Sequence, residues 1–227
     1  MISSSPPGST GPASRTAYHH GNLREVLVEA AIELIALEGV EKLSVREAAK
    51  RAGVSPGAPF RHFATKTALL TAVAEQSTQR LRAQIETALA DSADAPPLVR
   101  FGAIGHAYLA WARDNAPHFR VISERRLIDY DGSERIRADN EAIRQHMATL
   151  FAEAFGTKSG FDAAYAQIAA RALVYGLARM AIDGHFPEWN LSSGPTTKVM
   201  DGTLDFFIQL LIGAHAAASA PPGERGK

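Results

Sequence analysis

The sequence predicts an all-α protein, and three observations carry that prediction. Apolar residues recur at spacings of three and four almost throughout, and no stretch alternates apolar and polar residues as a half-buried strand would. Capping residues and glycines fall at the ends of the periodic segments. With 227 residues, 46% of them hydrophobic, the chain can bury a substantial core, in one large domain or in one small and one larger domain. Lys and Arg balance Asp and Glu at 24 each, so no global field draws the chain to nucleic acid or to a membrane, and any such attraction must be local. There is no cysteine, which excludes disulfides, thiolate nucleophiles and cysteine-ligated metals and suits the cytoplasm.

Residues 1–17, MISSSPPGSTGPASRTA, are rich in Ser, Pro and Gly, lack the apolar run of a secretory signal and are expected to form a disordered tail. In the first helix Leu23, Val26, Leu27, Ala30, Ala31, Leu34 and Ile35 make one stripe, with Arg24, Glu25, Glu29 and Glu33 outside it. Gly39 is expected to close it as a left-handed cap. In LSVREAAKRAG, Ser44 reads as an N-cap and Glu47 as the other half of a reciprocal capping box. Val45, Ala48, Ala49 and Ala52 face inward, Gly53 permits a sharp turn, and Val54 plugs the joint before a third helix begins at Ser55. Thr65 caps a long helix from about Lys66 to Leu89, and DSADAPP is a linker. Helices are expected near 97–114, 117–128, 134–155, 162–184 and 196–217, with a disordered tail over 218–227. The apolar stretch FFIQLLIGAHAAA is broken by Gln209 and His215 and falls short of the roughly 20 residues that span a bilayer, so no membrane partner is expected.

Two short helices joined by a glycine turn make a helix-turn-helix, whose second helix can enter a major groove about 12 Å wide. From Lys42 to Lys66 six basic residues face one acid, Glu47, a local charge of +5 inside a neutral chain. Phosphate contact is the natural use of such a patch, with binding that weakens as salt rises. The alternative is a solvated charged face on an unrelated helical domain.

The stretch Tyr18 to Val73 resembles the DNA-binding domain of the TetR family of bacterial repressors along its whole length. The likeness includes the opening His19-His20 pair, the Ser-Val-Arg-Glu cap, the Ala-Gly-Val-Ser turn, the His-Phe end of the recognition helix and the Lys-x-x-Leu-Leu opening of the next helix. It implies that Ser44 and Arg46 touch phosphate, that Ser55, Gly57 and Ala58 face base edges, and that His62 and Lys66 clamp the DNA backbone. Pro56, Phe60 and Arg61 complete the expected interface. Where the family usually has a phosphate-binding tyrosine this chain has Phe60, which removes one hydrogen-bonding anchor. Pro56, at the first helical position, suits a helix start. Pro59 is expected to loosen the first turn and leave the Ser55 carbonyl free and hydrated.

A competing reading is chemical. Gly53-Val54-Ser55-Pro56-Gly57 matches the G-x-S-x-G elbow of serine hydrolases, but the elbow requires a strand before the serine, and REAAKRA is a capped helix. His19 and His20 are adjacent, so their side chains diverge on a helix, and no H-E-x-x-H appears. Neither an enzyme nor a metal or other cofactor is expected.

The resemblance implies two units, a helix-turn-helix domain over 18–66 and a ligand-binding and dimerisation domain over 67–217. Candidate ligand contacts are Phe101, Tyr108, Trp111 and Phe151, with Tyr175, His146 and Arg179; for any one aromatic the alternative is core filler. The segment ARALVYGLARMAIDGHF resembles a TetR C-terminal subfamily named for a Trp-His-Gly motif, with Val174-Tyr175-Gly176 in its place and the Trp and His absent. The last two long helices are apolar round most of their circumference, and Ile168, Ala172, Gly176, Phe206, Leu210 and Gly213 are the candidates for a homodimer seam. The implied function is a homodimeric, cytoplasmic, ligand-responsive regulator of transcription. It would bind a palindromic double-stranded DNA operator and be released by a small, mainly apolar or aromatic effector. The alternative from another class is a ligand-independent protein that organises DNA.

Overall fold

A computed structural model describes residues 23–156, 163–189 and 195–219. The expectations for residues 1–22, among them the first tail and the His19-His20 pair, and for residues 220–227 lie outside the described residues. Among the described residues there are eight α-helices and no strand. They are α1 (Leu23–Glu38), α2 (Val45–Arg51), α3 (Lys66–Asp91), α4 (Pro97–Asp114), α5 (Ala116–Ser123), α6 (Glu134–Phe155), α7 (Ala163–Asp183) and α8 (Thr196–Ser219).

The expected stripe of α1 buries Leu27, Ala30, Ala31, Leu34 and Ile35, with Val28 rather than Val26 as its other fully inward valine. Gly39 has φ +83° but ψ 164°, so it closes α1 outside the left-handed helical region, its amide donating to the Ile35 carbonyl at 3.0 Å. The capping box at α2 is half formed. Ser44 Oγ accepts the Glu47 amide at 3.1 Å, while the Glu47 carboxylate lies 4.0 Å from Lys50 Nζ. Thr65 caps α3 through a 3.0 Å bond from the Ala68 amide, and Ser133 caps α6 by accepting the Ile136 amide. The helix expected over 117–128 ends at Ser123. A 3-10 turn over Arg125–Leu127 then carries the chain into an extended Ile128, whose side chain is buried. At the other end α8 runs through Ser219, into the segment expected to begin a tail.

The helices enclose two cores. One lies between α3, α4, α6, α7 and α8 around Phe101, Trp111, Phe119, Phe151 and Leu204. Helices α4 and α8 approach closely because Gly105 has no side chain: a Cβ there would lie 2.8 Å from Leu204 Cδ2. The other core gathers α1, α2 and the start of α3 around Leu27, Ile35, Phe63 and Val73, and is completed by Val121, Ile128 and Ile136 from the segment after α4. The N-terminal unit therefore does not close its core alone.

Candidate nucleic-acid interface and ligand cavity

The interface begins at α2, whose inner face of Val45, Ala48 and Ala49 is fully buried, which leaves Arg46 and Lys50 outward. Gly53 adopts φ +68°, a left-handed conformation that a side chain would strain by roughly 1–2 kcal/mol. The turn it permits is tied by Gly53 N–H to the Lys50 carbonyl at 3.1 Å and Val54 N–H to the Ala49 carbonyl at 3.0 Å. The residues before Ser55 are thus a helix and a glycine turn, not the strand of a hydrolase elbow.

The expected third α-helix is instead an exposed turn at Pro56 and Gly57 followed by a 3-10 segment, Ala58–Arg61. Pro59 has no amide to offer the Ser55 carbonyl, so Ala58 donates to it at 3.0 Å and the winding tightens from four residues to three. The loosened α-helical turn is present, but the free, hydrated Ser55 carbonyl is not. The Pro59 ring is buried, and its carbonyl accepts the amides of both His62 and Phe63, at 2.9 and 2.8 Å. Pro59 thereby fixes a small rigid platform that presents Ser55, Pro56, Gly57, Phe60, Arg61 and His62 to solvent, with Ala58 half-buried among them. Phe60 is 44% exposed, too much for a side chain whose purpose is core packing.

The cations divide by what they already hold. Arg51 is tied to Glu33 at 2.7 Å, and Lys66 Nζ donates to the Glu41 carbonyl at 3.1 Å, which pins the start of α3 to the turn after α1. Lys42, Arg46 and Arg61 make no ion pair among the described residues. Ser44 is occupied as the cap of α2, with its hydroxyl still able to donate.

In the larger unit a cavity of about 630 Å³ opens between α3, α6 and α7. Tyr108 and Tyr175 line it, and Phe101 edges a void of about 40 Å³ beside it. Trp111 and Phe151 are buried in the core away from its wall, the Phe151 ring 4.5 Å from that of Phe101. His146 is half-buried outside the lining, and Arg179 pairs with Asp183 at 3.2 Å. Sequence reasoning missed Ile136, Asn140, Ile143 and Met147 of α6, which line the cavity at helical spacing, and Arg171 of α7. The available signals were an amide within an apolar stripe and a lone cation inside IAARALVYG.

On α7 and α8, Ile168, Phe206 and Leu210 are 66%, 65% and 56% exposed, and Ala172 is exposed as well. Beyond its chain neighbours and its own helix backbone, no atom of the described residues lies within 4 Å of where a Cβ would sit at Gly176 or Gly213. Ile168 also borders the cavity.

Comparison with known proteins agrees with this architecture. Residues 27–73 match the family described as bacterial regulatory proteins, tetR family, and residues 101–207 match a tetracyclin repressor-like C-terminal domain. The nucleoid occlusion factor SlmA of Vibrio campbellii is 28% identical over 131 residues, which are 57% of this chain and 61% of the relative. The chain thus spans less than two thirds of that relative's length. A protein with unknown function from Rhodococcus sp. RHA1 has a solved structure that superimposes with a TM-score of 0.69 at 29% identity, over 86% of this chain and 98% of that one. PfmR, a TetR family transcriptional regulator from Thermus thermophilus, shares the fold with a TM-score of 0.62 at 20% identity, over 81% and 97% of the two chains.

Proposed function

We propose that this chain, a TetR-family DNA-binding regulator with a TetR-like C-terminal domain, is a ligand-responsive repressor that binds a palindromic operator as a homodimer in the cytoplasm. The 18–66 unit reads the DNA. Arg46, Arg61 and His62 lie outward for phosphate, Lys66 reaches it on leaving the Glu41 carbonyl, and Ser55, Gly57 and Ala58 take the base edges. The partner copy covers the apolar face of α7 and α8, where Ile168, Phe206 and Leu210 are otherwise in water. Twofold symmetry then spaces the two reading elements about one DNA turn, some 34–36 Å, apart.

One observation carries the regulatory part. Ile128 and Ile136 line the cavity and also belong to the core of the DNA-reading unit, so an occupant that moves them moves that unit directly. An effector that prefers the shifted arrangement releases the operator by that difference in affinity. No described helix is long and apolar enough to cross a membrane, in keeping with a cytoplasmic regulator.

The test is selection of genomic fragments on the purified protein across a salt series, with Arg46→Ala beside it, since Lys66 also holds the fold. Enrichment of one palindrome, weakened by salt and by Arg46→Ala, is the expected result. Affinity that is flat across sequences would instead make the chain a DNA-organising protein.

A further inference from the structure

We propose that the cavity takes an amphipathic organic anion, one carboxylate-type head on an apolar body, with the head on the Arg171 guanidinium and the Tyr108 hydroxyl. The inference rests on the effector-site reading above and deepens it to a ligand class. Its first support is the charge of the wall. Arg125, Arg144 and Arg171 line the cavity, and among the described residues no Asp or Glu does. Arg125 is committed to Asp131 at 2.7 Å and Arg144 to Glu141, whereas Arg171 has no carboxylate partner among the described residues. Its guanidinium carbon lies 4.8 Å from the Tyr108 ring centroid and 6.0 Å from that of Tyr175, held over two aromatic faces with no carboxylate on its planar fork among the described residues.

The second support is an orphaned donor. Tyr108 is 4% exposed, lines the cavity beside Arg171, and its hydroxyl has no hydrogen-bond partner among the described residues. A buried hydroxyl without a partner is costly, and an acceptor brought by a ligand removes that cost. Burial pushes the phenol's pKa up, against a smaller opposing pull from Arg171, so near neutral pH it is protonated and can donate. A carboxylate accepts from both groups at once, in charge-assisted bonds stronger than neutral ones. Beyond this polar corner Leu81, Ile122, Ile136, Ile143 and Met147 give the wall its apolar character, and the volume is that of a site for a small organic molecule. An amine head would meet arginines, and a neutral head would forgo the charge-assisted bonds.

The test compares three probes of one chain length, decanoate, decanamide and decylamine, by calorimetric binding to the full chain and by release of its selected DNA. Decanoate is expected to bind about tenfold or more tighter than decanamide, with decylamine weakest. Arg171→Gln, on an exposed part of α7, is expected to bring decanoate down to the amide's affinity while leaving the amide unchanged. Tyr108→Phe, which keeps the ring, is expected to erase part of the preference. Equal binding of acid and amide, or a preference that survives Arg171→Gln, overturns the anion inference; if those probes still release DNA, the effector reading stands. The expected preference without any effect on DNA overturns the effector reading alone, and failure of all three probes to bind overturns both.

Discussion

Phe60→Tyr adds one hydroxyl at the edge of a ring that is already 44% exposed beside the exposed Arg61 and His62. It removes no packing, so the melting temperature is expected to stay within the range of a neutral surface change, about 0.5 kcal/mol either way. If the platform lies against DNA, the new hydroxyl donates to a phosphate oxygen. A hydrogen bond to a charged group contributes about 1.5–3 kcal/mol, and ordering one aromatic side chain at an interface costs about 0.5–1.5 kcal/mol. The net is about 1 kcal/mol per subunit and about 2 kcal/mol for a dimer on two half-sites, or roughly 30-fold in Kd. Fluorescence anisotropy with the selected operator, over a range of salt concentrations, reads both the affinity and the salt slope. The slope is expected not to change, because a neutral donor releases no counterion. An affinity unchanged within threefold, in a variant that melts like the parent, would remove Phe60 from the DNA face.

Phe119 is fully buried, its ring 6.2 Å from Tyr108 and 5.9 Å from Tyr175, so Phe119→Ala is expected to cost about 3–5 kcal/mol and lower the melting temperature by roughly 6–20 °C in calorimetry. Gly53→Ala meets no neighbouring atom within 4 Å but must hold φ +68°; urea denaturation is expected to show a loss of about 1–2 kcal/mol from strain alone. Burial first, and then the Arg80 charge against a smaller pull from Glu29, lowers the pKa of His118 below the ordinary 6.5. The unfolded chain therefore takes up this proton before the folded one, and stability is expected to fall as pH drops below about 6.5, a slope that His118→Leu should flatten in thermal melts across pH.

The helices that were legible from sequence are those whose ends carry their own chemistry. Pro96 and Pro97 set the start of α4 and Ser133 that of α6, so both agree with their expected ranges. The reading element differs from its expected form because periodicity cannot tell a 3-10 turn from one turn of α-helix, and the deciding factor, the amide Pro59 lacks, changes which carbonyl Ala58 reaches. In the larger unit, aromatics at helical spacing carry no mark of which side of the helix faces a void. Tyr108 and Tyr175 reached the cavity and Trp111 and Phe151 the core, through the same kind of pattern. Arg171 and Asn140 were the better clues, since a cation or an amide set within an otherwise apolar stretch of helix marks where that stretch meets something other than core.

The proposed route from cavity to DNA needs little machinery. Ile136 packs at once into the cavity wall and the N-terminal core, and a core packed at crystal density moves as a body when one member is displaced. Polar ties run along the same seam. Asp139 of α6 accepts from Thr78 and Arg82 of α3, at 3.3 and 3.1 Å, and Ser133 donates to Glu75, which pairs with Arg24 of α1. Thr78 also walls the cavity, and twelve residues of helix, about 18 Å, separate it from Lys66. A tilt of about 5° at Thr78 then moves Lys66 by about 1.6 Å over that length, enough to break the proposed hydrogen bond to phosphate. Shifting a population from 1:99 to 99:1 requires about 5.5 kcal/mol of preference, or about 2.7 kcal/mol from each of two sites in the proposed dimer. A carboxylate that meets Arg171 and Tyr108 fully in only one arrangement falls in that range, at about 1.5–3 kcal/mol for a charge-assisted bond. The polar corner of the cavity is therefore sufficient as the source of the proposed switch, and the apolar wall need only hold the ligand without favouring either state.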